Sequence, residues 1–112
     1  MSRLDIKPLS VNQAWQGRRF KTEKYKKYID EVLLLLPKNQ YIPDCEISLY
    51  LAFGFSSKAS DFDNPVKCFV DCLQKKYGFN DNKIKRCLIE VESVKKGGEF
   101  IDFRMSDYHN KF

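Results

Sequence analysis

An α+β fold, with a small mixed β-sheet packed against two main helices in a single domain, is predicted by three features of this sequence. Residues Cys45 to Phe55 alternate Ile47, Leu49, Leu51, Phe53 and Phe55 with smaller or polar neighbours, the period of a strand with one buried face. Two other stretches, Thr22 to Leu36 and the residues after Asn64, carry apolar side chains at helical spacing. The elements follow the order strand, helix, strand, helix, strand, strand, which suits helices laid on one small sheet. A chain of 112 residues is large enough for one core and too small for two, so residues 1–112 read as one domain. Apolar residues at 43% and charged residues at 31% are ordinary for a globular chain and argue against disorder.

Taken in order, Arg3 to Lys7 alternates Leu4 and Ile6 with charged residues and reads as a short strand ended by Pro8. Ser10 to Lys21 is a polar loop carrying Asn12, Trp15, Gly17, Arg18 and Arg19, where an aromatic beside two arginines can stack on a base while holding phosphates. A tryptophan plugging a small core beside two solvated arginines is the plainer alternative. The first helix is capped by Thr22, buries a stripe of Tyr25, Tyr28, Ile29, Val32, Leu33 and Leu36, and stops at Pro37. Lys21, Lys24, Lys26 and Lys27 crowd its start, where cations oppose the helix dipole. Beyond the second helix, Lys85 to Lys95 and Glu99 to Met105 read as two strands joined by a turn at Lys96-Gly97-Gly98, and Ser106 to Phe112 as a loose tail that Tyr108 and Phe112 could dock.

The formal charge of +5, from 20 Lys and Arg against 15 Asp and Glu, fits either a polyanionic partner or plain solubility. Met1 to Ser10 carries charge without an apolar run, unlike a signal peptide, and the apolar run Leu33 to Leu36 is too short to span a membrane. The expectation is a cytoplasmic protein with no membrane partner, whose Cys45, Cys68, Cys72 and Cys87 are free thiols. Cys68 and Cys72 stand four apart and the one histidine, His109, lies in the tail, so ligand spacing speaks against structural zinc.

The chemistry concentrates in Asp61-Phe62-Asp63-Asn64-Pro65-Val66-Lys67 and in Gly78-Phe79-Asn80-Asp81. In extended backbone Asp61 and Asp63 share a face. Asn64 is a good helix cap and Pro65 is tolerated at the first helical position, so Asp63 falls at a helix N-terminus and Lys67 one turn inside it. Gly78 supplies a left-handed helix end, and Asn80-Asp81-Asn82 a polar turn. If that turn folds back beside the helix start, Asp81 completes an acidic triad. Two carboxylates about 4 Å apart repel by roughly 4 kcal/mol at an effective dielectric near 20, so such a triad calls for a cation. Hard oxygen donors suit Mg²⁺ or Mn²⁺. Cap-and-turn chemistry alone also accounts for these residues.

Leu9-Ser10-Val11-Asn12, Asp61-x-Asp63-Asn64-x-x-Lys67, Asp71 with Leu73, and Gly78-Phe79 followed by Asp81 and Ile84 together resemble the RusA family of Holliday-junction resolvases, in order over most of the chain. The resemblance implies that residues 1–112 are a single RusA-like nuclease domain, a homodimeric, Mg²⁺-dependent endonuclease, often of phage or prophage origin. Its implied role is to cut four-way DNA junctions symmetrically in recombination and repair, in the cytoplasm of a bacterial or phage-infected host cell. The family's catalytic, metal-holding carboxylates would fall on Asp61, Asp63 and Asp81, and its catalytic lysine on Lys67. Asn12, Arg18, Arg19 and Lys58 are the DNA-binding candidates. The chain departs from some members in carrying only Lys58 before the first Asp, where they have several arginines, and Asn80-Asp81 where they have two adjacent acids. Two other readings stand beside it: a non-catalytic nucleic-acid-binding module whose acidic cluster is structural, and an interaction subunit with neither DNA nor metal affinity.

Overall fold

A computed structural model of the chain describes residues 2–16, 20–57 and 62–109. The elements are β1 (Ser2–Leu4), α1 (Val11–Ala14), β2 (Trp15–Gln16), β3 (Phe20–Lys21), α2 (Glu23–Leu35), β4 (Ile47–Phe55), α3 (Val66–Tyr77), β5 (Ile84–Ser93) and β6 (Phe100–Asp107). Four strands form one mixed sheet in the order β1-β6-β4-β5, with β4 parallel to β5 and antiparallel to β6, and the two main helices complete the expected α+β domain.

The central strand is β4, and its odd-numbered apolar residues face the helices. Phe69 of α3 meets Phe53 and Phe103 edge-on, with ring centroids 6.4 and 5.7 Å away, and Leu49, Leu51, Ile101, Cys68 and Leu73 fill the space around them. The alternation implied one buried face, yet the other face of β4 is also covered: Ser48 and Ala52 are buried. An ideal Cβ on Gly54 would lie 2.4 Å from the Phe100 ring, the Arg3 guanidinium sits 3.9 Å above that ring, and Arg3 donates to buried Asp102 through Nε at 2.7 Å and Nη2 at 2.9 Å. This bidentate pair also joins β1 to β6, since Arg3 and Asp102 are register partners.

The helix α2 starts as predicted. Thr22 Oγ1 accepts from the Tyr25 N–H at 3.1 Å while donating to the Gln13 carbonyl at 2.7 Å, which ties α1 to α2. At the other end, where helix carbonyls lack intrahelical partners, Lys76 Nζ donates to Leu33 O at 3.1 Å and Tyr77 Oη to Pro37 O at 2.7 Å, so α3 satisfies the end of α2.

Two expectations are corrected. The Ser10 to Lys21 loop contains a short helix and a two-stranded ribbon in which Trp15 pairs with Lys21, anchored by the Thr22 N–H on the Ala14 carbonyl at 2.9 Å. The last two strands are not a hairpin, because the more apolar β4 lies between them and pairs with both. Their connection crosses the end of β4, where Val94 N donates to Phe55 O at 2.8 Å and Ser56 Oγ to Glu99 at 2.7 Å. Of the two residues that could dock the tail, Tyr108 does so: its N–H donates to Glu46 O at 2.9 Å and its ring lies 4.6 Å from the Arg86 guanidinium, while Phe112 lies outside the described residues. Among the described residues no helix is long and apolar enough to cross a membrane.

Candidate functional site

The unit β4-α3-β5 is a parallel pair with a helical crossover, and it brings the two halves of the acidic motif together. Residues 62–65 form a turn before α3, so Asp63 is not in extended backbone as expected. The helix is not capped by Asn64 either: Pro65 occupies the capping position without a side-chain bond, and the turn closes through the Val66 N–H on the Asp63 carbonyl at 3.1 Å. With the backbone making that closure, the Asp63 carboxylate is spared from capping and lines the neighbouring cleft.

At the other end of α3, Gly78 adopts the left-handed conformation (φ 75°, ψ 18°) and donates to Gln74 O at 2.8 Å, as expected. The chain then turns back beside α3. Asp81 N donates to Gln74 Oε1 at 2.9 Å and Asn80 Oδ1 accepts from Asn82 N at 3.0 Å, so a single 3₁₀ turn, Asp81–Lys83, leads into β5.

Asp63, Lys67 and Asp81 thus line one open cleft of about 410 Å³ whose floor is Leu49, Val66, Val70, Ile84, Cys87 and Ile89. Lys67 Nζ lies 3.9 Å from Asp81 Oδ2 and 3.1 Å from Asp71 Oδ1. Asp71 is itself held by Tyr25 Oη at 3.3 Å and Gln74 Nε2 at 3.4 Å. Two carboxylates and one ammonium line the cleft, in a chain whose formal charge is +5. Partial desolvation raises the Cys87 thiol above its ordinary value although the residue is exposed, so the cleft lining carries a neutral thiol at neutral pH. Exposed Asp63, Asp81 and Lys67 thus set two carboxylates and an ammonium around one open mouth.

Of the other residues singled out from the sequence, Asp61, Arg18, Arg19 and Lys58 lie outside the described residues. Asn12 belongs to α1, with its side chain likewise outside them. Trp15 neither plugs the core nor stands free: it is partly exposed and packs edge-on against Tyr25, with ring centroids 5.5 Å apart.

A second group, which ligand spacing did not reveal, can hold a metal ion. Ligand atoms of Cys45, Asp107 and His109 all lie within 4.8 Å of one another. His109, in the tail, thus has two candidate ligands as neighbours. Compared with known protein-family models and with curated proteins, the chain matches none.

Proposed function

We propose that this chain is a Mg²⁺-dependent endonuclease that resolves four-way DNA junctions as a homodimer. The observation that carries the reading is the meeting of Asp63, Lys67 and Asp81 in one cleft, from the turn before α3, its first turn and the turn after it. These are three of the four residues on which the resemblance to RusA resolvases places catalysis, and Asp61 is proposed as the fourth.

Asp63 and Asp81 would hold Mg²⁺, with Mn²⁺ as the alternative hard cation. The bound ion supplies a water of lowered pKa and charge stabilisation at the phosphoryl group. Lys67, steadied by Asp71, offsets negative charge that builds on the scissile phosphate. The apolar floor excludes water beneath these groups and strengthens their interactions. Arg18, Arg19, Lys58 and Asn12 are the proposed DNA contacts, and the basic surface attracts the polyanion.

A junction is resolved by two cuts related by a two-fold axis, and each chain offers one cleft, so a symmetric dimer supplies the pair. Exposed Leu34 and Leu35 on α2, and Leu88 and Val91 on the edge strand β5, offer apolar surface for that interface.

The test is incubation of the protein with synthetic four-way junctions, duplex and single strands, in Mg²⁺ and in chelator. Paired cuts in the junction, only with Mg²⁺, support the proposal. One observation favours a binding module instead: Lys67 lies nearer Asp71 than Asp81, as in an ordinary i,i+4 ion pair. On that reading the junction is bound and never cut.

A further inference from the structure

We propose that Cys45, Asp107 and His109, with Glu46 as fourth donor, form a binding site for a zinc-type transition-metal ion that staples the end of β6 to the start of β4. In the β4–β6 register Ile47 is opposite Asp107, so Cys45 and His109 lie just beyond the paired residues at the same end of the sheet. The backbone there is held independently of any ion. Tyr108 N donates to Glu46 O at 2.9 Å and His109 N to Asp107 Oδ1 at 2.9 Å. Arg86 donates from Nη1 to Tyr108 O at 3.4 Å.

On this frame the side chains converge. Cys45 Sγ is 3.5 Å from Asp107 Oδ2, and His109 Nε2 is 3.5 Å from Glu46 Oε1. Donor atoms in a tetrahedral zinc shell, with bonds of about 2.0 to 2.3 Å, stand roughly 3.3 to 3.8 Å apart. Both contacts are already at that separation, and the three-residue group closes from within 4.8 Å by rotation of exposed Cys45 and His109 toward half-buried Asp107.

One sulfur, one imidazole nitrogen and one carboxylate oxygen lie together, and Glu46, near His109 but outside that group, would swing in to complete the usual four zinc donors. The thiol and imidazole favour Zn²⁺ or Co²⁺ over Mg²⁺, which separates this group from the all-oxygen acids of the cleft. On binding, the Cys45 S–H bond breaks, the proton leaves to solvent and the thiolate takes its place on the metal, while His109 binds as neutral imidazole. The other thiols are placed elsewhere: Cys68 and Cys72 are buried in the core, and Cys87 lines the acidic cleft.

The test uses the reduced full-length chain with Zn²⁺ and Co²⁺ as probes. One equivalent of Zn²⁺ is expected to be held against a colorimetric chelator, and Co²⁺ to give a thiolate charge-transfer band with the visible absorption of a tetrahedral ion. Cys45→Ser should abolish the charge-transfer band. Asp107→Asn and His109→Ala should each weaken Zn²⁺ by at least about 10-fold, the lower range for losing even an outer partner of a metal ligand. Cys87→Ser should leave the spectrum unchanged. X-ray absorption on the unmutated protein should show one sulfur at about 2.3 Å with nitrogen and oxygen near 2.0 Å. A chain that retains no Zn²⁺, a sulfur-free shell, or a charge-transfer band that survives Cys45→Ser and vanishes with Cys87→Ser would overturn the site.

Discussion

Lys67 Nζ lies 3.9 Å from Asp81 Oδ2, so the first turn of α3 and the turn that follows the helix face each other across one cleft. Asp71 stands 3.1 Å from the same ammonium, and both groups of that pair are accessible to solvent. An exposed i,i+4 pair contributes only about 0.3 to 0.5 kcal/mol, so its loss should barely move stability. Lys67→Ala is therefore expected to keep its unfolding midpoint and its DNA affinity while cleaving about 100-fold more slowly, the scale of losing one transition-state charge partner. Equal losses in affinity and rate would make Lys67 a simple phosphate contact.

Gly54 offers a test of the sheet itself. A Cβ at this position meets the Phe100 ring at 2.4 Å, and that ring is buried beneath Arg3 and has little room to yield. Gly54→Ala should destabilise the fold by roughly 1 to 3 kcal/mol, the usual cost of overpacking, read as a lower denaturant midpoint. Gly54→Ala with Phe100→Leu should recover part of that loss. An unchanged midpoint in the single variant would show that Phe100 moves freely.

The buried thiols give a pH dependence. Burial pushes Cys68 up to about 11 and Cys72 up to about 12 from the ordinary 9.0. Since the folded state holds these protons more tightly, their contribution is complete below 9.0 and is lost as pH rises through that value toward 11 and 12. The denaturant midpoint should be level up to about pH 9 and then fall, and fall less in Cys72→Ala. Thiol reagents at neutral pH should modify exposed Cys45 and Cys87 and spare Cys68 and Cys72. Rapid native labelling of Cys72 would contradict its place in the core.

Much of this arrangement was legible because it is local. The alternation from Ile47 to Phe55 identified the central strand, Thr22 and Pro37 bracketed α2, and Gly78 marked the left-handed end of α3. What escaped depends on neighbours distant in sequence. Lys96-Gly97-Gly98 has the local chemistry of a hairpin, but β4 competes for both flanking strands and wins because it is the more apolar. Asn64 has the chemistry of a cap, but a backbone bond from Val66 to Asp63 replaces it. Cys45 and Asp107 are 62 positions apart, and only the β4–β6 register brings them together. The cleft falls between these cases: Asp63, Lys67 and Asp81 could be named from spacing, while their approach rests on the fold of β4-α3-β5.

Asp81→Asn on a labelled four-way junction tests the central claim most directly. The substitution keeps the size of the side chain and the backbone bond from Asp81 N to Gln74 Oε1, and removes one negative charge from the cleft proposed to take the phosphate. With Mg²⁺ present, the account predicts that the unmutated protein makes paired symmetric cuts, and that Asp81→Asn binds the junction at least as tightly yet cuts it at least about 100-fold more slowly. Cleavage by Asp81→Asn at the unmutated rate, or a wild-type protein that binds the junction and leaves it whole in Mg²⁺, would contradict it.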